Sequence, residues 1–179
     1  MTEYSNDIAN YIDILRAYAS RAAFVLEIGP AKGNGSTLAF TEGLELNDKA
    51  KVQKLFISVD IRDYMEIKPN LSYWKLLIGD SREEETRKQF RAITKRFPDI
   101  LFIDTHHTYE QMKRELEVWS PIASPVATTW LFHDTYMMGE YNHMTDAIKE
   151  FAKDSPWNYV DISSEAHGLG ALVPRKGVK

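Results

Sequence analysis

Acidic and imidazole side chains follow two short apolar runs in the second half of the chain. Asp104 ends the run 99–104, and His133 and Asp134 come directly after the run 128–132. Carboxylates and water suit Mg²⁺, whereas a site that includes histidine also suits Mn²⁺, Fe²⁺ or Zn²⁺. If both runs are parallel strands, their carboxyl ends lie at the same edge of the sheet. The pattern therefore predicts a divalent cation site at Asp104, His133 and Asp134 and leaves the metal open.

A glycine-rich turn stands nearer the N-terminus. The segment 26–37 reads LEIGPAKGNGST, with glycines at Gly29, Gly33 and Gly35. Glycine permits positive φ angles and close approach of the backbone to a ligand, and the N-terminus of the next helix offers free N–H groups. The spacing differs from the dinucleotide fingerprint G-x-G-x-x-G. The turn predicts a polar ligand, and the alternative is a tight turn with a purely structural role.

Two acids accompany this turn. Glu27 precedes the first glycine by two residues, and Asp60 ends the next apolar run, 55–60. A buried carboxylate at Glu27 would attract the ammonium group of an amino-acid-like cofactor and would oppose a pyrophosphate. Asp60 is placed to accept hydrogen bonds from both hydroxyls of a ribose. Together they favour a nucleoside that carries an amino acid over a dinucleotide.

The elements that must position these residues alternate between strand-like and helical patterns. This alternation predicts an α/β fold: a doubly wound, mostly parallel seven-stranded sheet with helices on both faces and an antiparallel last strand. The expected strands are 24–28, 55–60, 74–78, 99–104, 128–132, 158–162 and 170–174. The expected helices are 6–21 behind a Ser5 cap, 36–46, 83–96, one that follows a Thr108/Gln111 capping box, and 143–153.

Length and composition limit the other possibilities. The chain has 179 residues, no cysteine and a net charge of −4. Such a length fits one domain over residues 1–179, and the charge gives no general attraction to nucleic acid or to anionic lipid. No apolar run reaches the length that a membrane span needs, and the N-terminus does not resemble a secretory signal. We expect a cytoplasmic protein with a small-molecule partner; the sequence leaves open whether it forms a homo-oligomer.

The first-strand acid, the spaced glycines and the acid after the second strand resemble class I S-adenosylmethionine-dependent methyltransferases. The resemblance implies a Rossmann-like methyltransferase fold and S-adenosylmethionine as the cofactor. The cofactor-binding residues that it implies are Glu27, Gly29, Gly33, Asp60, Asp80 and Ser81. In this assignment the first three line the methionine end, Asp60 holds the ribose, and the last two adjoin the adenine. The alternative for Asp80 and Ser81 is an ordinary helix cap.

Two further segments are similar to one branch of this superfamily. Residues 102–110 read FIDTHHTYE and residues 132–135 read FHDT. The branch contains O-methyltransferases that act on macrolide sugars and relatives known as cephalosporin hydroxylases, and the resemblance extends over about 25–135. It implies Asp104 and Asp134 as Mg²⁺ ligands and His107 as the catalytic base. His133 stands where the sugar enzymes carry a carboxylate, and His106 stands where an acid is usual.

These features predict methyl transfer to an oxygen acceptor, such as a sugar hydroxyl or a vicinal diol, assisted by a divalent metal. His107 would accept the acceptor's proton as a neutral imidazole near pH 7; a histidine that merely caps the next helix is the alternative. We expect a structural role for His106, and we expect His143 and His167 outside the cluster. Residues that could line an acceptor pocket, or else pack in the core or at a dimer surface, are Trp130, Tyr136, Met137, Met138 and Tyr141.

Three other functions compete with this prediction. One is a metal-dependent hydrolase or oxygenase that uses Asp104, His107, His133 and Asp134 without a sulfonium cofactor. Another is a protein that binds S-adenosylmethionine or its demethylated product without turnover. The third, a nicotinamide oxidoreductase, is disfavoured by the spacing of the glycines.

Overall fold

A seven-stranded sheet forms the centre of the structure. The computed structural model describes residues 8–48, 53–137 and 143–177. Its strands are β1 (Phe24–Ile28), β2 (Leu55–Asp60), β3 (Trp74–Ile78), β4 (Ile100–Ile103), β5 (Thr129–His133), β6 (Trp157–Ser163) and β7 (Leu169–Pro174). Their order in the sheet is β3-β2-β1-β4-β5-β7-β6. Neighbouring strands are parallel except at β7, which is antiparallel to both β5 and β6. The predicted fold class is confirmed.

Five α-helices cover the sheet. They are α1 (Ile12–Ala19), α2 (Ser36–Leu46), α3 (Glu84–Ile93), α4 (Tyr109–Trp119) and α5 (Met144–Lys153). The first predicted helix differs, because Ile8–Tyr11 forms a 3₁₀ turn before α1 begins and α1 ends at Ala19. Ser5 and Asn6 lie outside the described residues. The predicted cap of α4 is present, since the Thr108 hydroxyl accepts a hydrogen bond from the Gln111 backbone N–H at 3.3 Å.

The central strands β1, β2, β4 and β5 are buried on both faces, which explains why they are apolar runs rather than alternating patterns. In β1, Phe24 and Leu26 pack into the core on the side of α3, α4 and α5, whereas Val25 packs on the side of α1 and α2. All five residues of β1 are buried. The helices therefore hold β1 rigidly from two sides and fix the turn that follows it.

The strand order creates a crevice at one edge of the sheet. β1 pairs with β2 on one side and with β4 on the other, so the chain changes direction across the sheet between β1 and β4. In open α/β sheets, ligands bind at this switch point, beyond the carboxyl ends of the strands. Among the helices in the described part of the chain, none is long and apolar enough to cross a membrane.

Candidate functional site

A cavity of about 590 Å³ opens at this switch point. Its wall is formed by the segments that follow the first four strands. Gly29 comes from the end of β1, Asp60 from β2, Ser81 from the turn after β3, and Asp104 from the end of β4. Four segments that are distant in sequence thus meet around one space, as the parallel strand order requires.

Two glycines of the turn after β1 have positive φ angles. Gly29 has φ +86°, and a Cβ there would lie 1.9 Å from the backbone oxygen of Asp104. Gly33 has φ +79°, and a Cβ there would lie 2.1 Å from the backbone oxygen of Ile67. Both positions therefore require glycine for conformation and for space. Gly29 lines the cavity, whereas Gly33 is buried behind it and is not part of its wall.

Glu27 lies outside the cavity wall, unlike the other acids of the predicted cofactor site. It is 0% exposed, and its carboxylate accepts hydrogen bonds from Ser36 Oγ at 2.7 Å, Thr37 Oγ1 at 3.0 Å and Ser58 Oγ at 2.8 Å. Burial raises the pKa of Glu27 to about 7, although the three hydroxyls counter this effect. Glu27 thus joins β1, β2 and the start of α2 through its hydrogen bonds and is not part of the cavity wall.

Asp60 and Asp80 both line the cavity but differ in their surroundings. Burial raises the pKa of Asp60, and backbone N–H groups, including that of Ala31, partly offset this effect. Asp80 is held by Arg82, with Arg82 Nη2 2.6 Å and Nε 3.0 Å from its oxygens, and these contacts lower its pKa. Asp60 is therefore the carboxylate more available to a ligand.

A buried acid that the sequence analysis did not identify stands behind this wall. Glu115 of α4 is 0% exposed. Ser81 Oγ and Gln111 Nε2 donate to its Oε1, and Thr105 Oγ1 donates to its Oε2 at 2.8 Å. The signal was present in the sequence, because Glu115 falls on the core-facing stripe of α4 beside Leu116. An acid on such a face needs polar partners in the interior.

The predicted metal-binding residues converge beside the cavity. One ligand atom from each of Asp104, His133 and Asp134 can be chosen so that all three lie within 4.8 Å of one another. His133 Nδ1 is 3.5 Å from Asp104 Oδ1 and 3.3 Å from Asp134 Oδ2. His107 Nε2 is 3.0 Å from Asp134 Oδ2 and 3.5 Å from Asp104 Oδ1. Asp104 belongs to both the cluster and the cavity wall, so the two sites are contiguous.

Several polar atoms of this cluster lack aligned hydrogen-bond partners among the described residues. They include both ring nitrogens of His133, His107 Nε2 and Asp134 Oδ1. The histidine nitrogens lie within ion-pair distance of the carboxylate oxygens, but the angles of these contacts do not meet the geometry of a hydrogen bond. Buried polar atoms without partners carry a cost that a bound ion would relieve. The donor set of two carboxylates and an imidazole therefore fits a divalent cation.

The backbone at Asp134 has an uncommon conformation for a residue other than glycine. Asp134 has φ +59°, a left-handed conformation directly after β5. Aspartate tolerates this region better than most residues, and strained backbone is frequent at functional sites. The turn directs the Asp134 carboxylate toward His107 and His133.

Electrostatics inside the cluster are strongly coupled. Burial lowers the pKa of His107, but Asp104 and Asp134 more than offset it and raise that pKa to about 9. The same causes raise the pKa of His133 to about 10. Burial alone would raise the pKa values of Asp104 and Asp134, but the neighbouring histidines lower both pKa values below their usual range. With no cation bound, the two carboxylates therefore favour the protonated form of His107, whereas the neutral imidazole was expected with the cation in place.

Two other histidines lie closer to the site than expected. His106 is exposed and lines the cavity. His167, in the β6–β7 turn, has Nδ1 3.6 Å from Asp134 Oδ1, so it lies at the rim of the cluster instead of outside it. His143 is exposed and pairs with Asp146 at 3.4 Å, away from the cluster as expected.

The residues considered for an acceptor pocket divide into different environments. Trp130 is fully buried and packs against Phe132 and Trp157, so it is a core residue. Tyr136 is 41% exposed, in the loop directly after Asp134. Met137 follows it and is half-buried, whereas Met138 and Tyr141 lie outside the described residues.

Comparison with known proteins agrees with the fold and with the motifs. A family model described as a methyltransferase domain matches residues 26–135. No curated protein sequence matches the chain significantly. Among solved structures, one neighbour is a Staphylococcus aureus protein assigned provisionally as a caffeoyl-CoA O-methyltransferase. It is 16% identical at a TM-score of 0.65, and the match covers 93% of this chain and 83% of that one.

Two further neighbours come from natural-product biosynthesis. The TDP-rhamnose 3′-O-methyltransferase of calicheamicin biosynthesis is 14% identical with a TM-score of 0.66, over 96% of this chain and 79% of that one. The methyltransferase of the mycinamycin pathway, solved with Mg, S-adenosylhomocysteine (SAH) and mycinamycin VI, is 16% identical with a TM-score of 0.61. That match covers 92% of this chain and 47% of the other, so this chain spans about half of that protein's length.

The fold and the cavity at its switch point define a Rossmann-like, class I α/β domain of the kind that binds a nucleoside cofactor. The chain belongs to the family of methyltransferase domains whose model matches 26–135. It is an S-adenosylmethionine-dependent methyltransferase, which decides against the nicotinamide oxidoreductase considered above.

Proposed function

We propose that this enzyme transfers the methyl group of S-adenosylmethionine to a hydroxyl of a small molecule, a sugar or a vicinal diol, with the help of a divalent cation. The observation that carries the proposal is the contiguity of two sites: the cavity at the switch point and the acid and histidine cluster share Asp104. A methyl donor in one site and an acceptor oxygen at the other would lie next to each other. Methyl transfer needs this arrangement, because it is an in-line displacement.

The cavity residues suit the parts of an adenosyl cofactor. Asp60 has carboxylate oxygens that could accept hydrogen bonds from the ribose hydroxyls. Gly29 lets the backbone after β1 come close to the methionine portion. Asp80 and Ser81 line the same cavity and would adjoin the adenine. Glu27 and Gly33 support the turn from behind and are not proposed as direct ligands.

Asp104, His133 and Asp134 would hold the cation. The methyltransferase of the mycinamycin pathway was solved with Mg, which supports a cation at this place. In this chain His133 adds an imidazole to the two carboxylates, and we propose that Mn²⁺, Fe²⁺ or Zn²⁺ binds as well as, or better than, Mg²⁺. When bound, the cation would lower the pKa of an acceptor hydroxyl.

The protein's own groups then do three things. The glycine turn and Asp60 would hold the methyl donor in the cavity beside the cluster. The loop after β5, with Tyr136 and Met137, bounds the acceptor side. His107 would accept the proton of the acceptor hydroxyl, and S-adenosylmethionine, when bound, would supply the methyl group and leave as the neutral sulfide.

His107 can act in this way only while its neighbouring carboxylates are engaged elsewhere. With Asp104 and Asp134 free, both stabilise the protonated imidazole. Ligation of the two carboxylates would remove that stabilisation and return His107 toward the neutral form. We therefore link the base role of His107 to occupation of the cation site.

We further propose that residues 1–179 form one S-adenosylmethionine-binding domain, and that its acceptor is a small molecule encountered in the cytoplasm. The modest negative net charge and the absence of cysteine support this setting.

Isothermal titration calorimetry tests the binding part of the proposal. The intact protein is titrated with S-adenosylmethionine, SAH and NAD, each with and without Mn²⁺ or Mg²⁺. We expect the two sulfur nucleosides to bind, NAD not to bind, and the cation to bind in a separate titration. Binding of NAD with an affinity equal to that of SAH would contradict the assignment of the cavity. Tight SAH binding without any cation binding would refute the metal-assisted mechanism and, with it, the base role of His107.

A further inference from the structure

Glu115 lies behind the cavity wall and contacts three of the residues that form it. Ser81 belongs to the turn after β3, Thr105 follows β4, and Gln111 lies in the first turns of α4. The side chains of all three donate hydrogen bonds to the fully buried Glu115 carboxylate, with Gln111 Nε2 at 2.7 Å and Thr105 Oγ1 at 2.8 Å. One interior acid thus orients three residues from separate elements.

The carboxylate determines the polarity of this wall. An ionised carboxylate only accepts hydrogen bonds, so each neighbour must turn a hydrogen toward it. The single hydroxyl hydrogens of Ser81 and Thr105 are used in this way and are not available to a ligand. The amide nitrogen of Gln111 also faces Glu115, which leaves the Gln111 carbonyl oxygen on the other side of the amide. What these three side chains have left for a ligand is therefore mainly acceptor atoms, namely the hydroxyl lone pairs and the Gln111 carbonyl oxygen, beside one remaining amide hydrogen.

The three donors also favour the ionised form of the acid. Burial raises the pKa of Glu115, and the hydrogen bonds from Ser81, Thr105 and Gln111 oppose that rise. The amide nitrogen of Gln111 can only donate, so this contact requires an acceptor oxygen on Glu115.

We propose that Glu115 is a positioning residue that sets cofactor specificity: it fixes Ser81, Thr105 and Gln111 as an acceptor wall that selects a purine with an amino group at position 6. This inference rests on the proposed adenosyl site. An adenine presents its 6-amino hydrogens to such a wall, whereas a hypoxanthine presents a carbonyl oxygen. Two acceptors facing each other leave both unsatisfied, and a buried site discriminates strongly against such a pairing.

The test compares SAH with its deaminated analogue, S-inosylhomocysteine, by titration calorimetry. The proteins are the intact chain, Glu115→Gln, and the control Glu117→Gln, which alters an exposed acid on the same helix. We expect the intact chain and the control to prefer SAH by about 10-fold to 100-fold. The amide in Glu115→Gln can donate as well as accept, so Gln111 is free to turn over, and the preference should fall to about threefold or less. A folded Glu115→Gln protein that keeps the full preference would overturn the inference.

A second variant keeps the test decisive if Glu115→Gln does not fold. Gln111→Met preserves the buried acid and a side chain of similar length but removes the carbonyl acceptor. We expect it to bind SAH more weakly and to lose most of the preference over the inosyl analogue, and an unchanged preference would contradict the acceptor wall. Binding of both nucleosides to the intact chain without preference refutes the role of Glu115 alone. Binding of neither refutes the proposed function, and this inference with it.

Discussion

Replacement of Glu27 by Gln provides a quantitative test of the site as the structure describes it. Glu27 is enclosed by Ser36, Thr37 and Ser58 and does not reach the cavity. Gln has nearly the same shape, and its neighbours are hydroxyls, which can accept as well as donate. The variant therefore removes the buried charge while keeping most of the packing. If Glu27 acts as an interior support, the change should affect stability and leave cofactor affinity nearly intact.

The magnitude follows from the pKa of Glu27. Burial raises it from 4.5 to about 7, and each pKa unit corresponds to about 1.4 kcal/mol. Between these two values the folded state binds more protons at this group than the unfolded state does, so the free energy of unfolding falls as pH rises. The stability contributed by the protonated acid is complete below about pH 4.5 and is lost as pH rises through about 7. The loss amounts to about 3 kcal/mol.

The assay is urea unfolding, followed by tryptophan fluorescence at pH values from 5 to 8.5. Relative to the intact protein, Glu27→Gln should gain stability progressively with pH, reaching about 3 kcal/mol near pH 8. Glu117→Gln, which removes an exposed charge, reports how much of the change belongs to net charge alone. Parallel stability curves for the intact protein and Glu27→Gln would refute the reasoning. A large loss of SAH affinity in Glu27→Gln would return Glu27 to the cofactor contacts.

Four further outcomes are expected. Asp60→Ala should lose about 1–3 kcal/mol of SAH binding free energy, measured by calorimetry, because charged hydrogen bonds to the ribose are removed. Asp104→Asn should weaken Mn²⁺ binding far more than SAH binding in paired titrations. His107→Ala should retain SAH affinity but slow single-turnover methyl transfer by about 10²-fold to 10⁴-fold. His106→Ala should slow the transfer much less. Equal transfer rates for His107→Ala and the intact enzyme would refute the assignment of His107 as the base. Gly29→Ala should lower the free energy of unfolding by about 2 kcal/mol or more, measured in urea, because its Cβ would meet the backbone of Asp104.

Much of the sheet could be predicted from the sequence because its central strands are buried on both faces. Such strands are continuous apolar runs bounded by polar or glycine residues, and the predictions for β1 and β2 match the observed bounds. The prediction for β3 also matches, although β3 is a partly exposed edge strand. Convergence of Asp104 with His133 and Asp134 could also be predicted, since it needs only that β4 and β5 be parallel neighbours.

Features that depend on tertiary packing could not be predicted in the same way. The enclosure of Glu27 depends on hydroxyls from α2 and β2, and no local pattern reveals that they meet around β1. His167 approaches Asp134 because the β6–β7 turn has left-handed backbone at Ala166 and His167, which neither residue type suggests. The raised pKa of His107 could not be predicted either, because it depends on two carboxylates within 3.5 Å of the imidazole.

Methyl transfer itself is the most direct test of the proposed function. S-adenosylmethionine labelled in its methyl group is mixed with excess enzyme and a panel of sugars, catechols and other diols, with Mn²⁺, with Mg²⁺, or with a chelator. We predict transfer of the label to a hydroxyl oxygen of at least one acceptor in the presence of a cation, and loss of that transfer when the chelator is present. Tight binding of S-adenosylmethionine with no transfer to any hydroxyl, or equal transfer with and without the chelator, would contradict metal-assisted O-methylation.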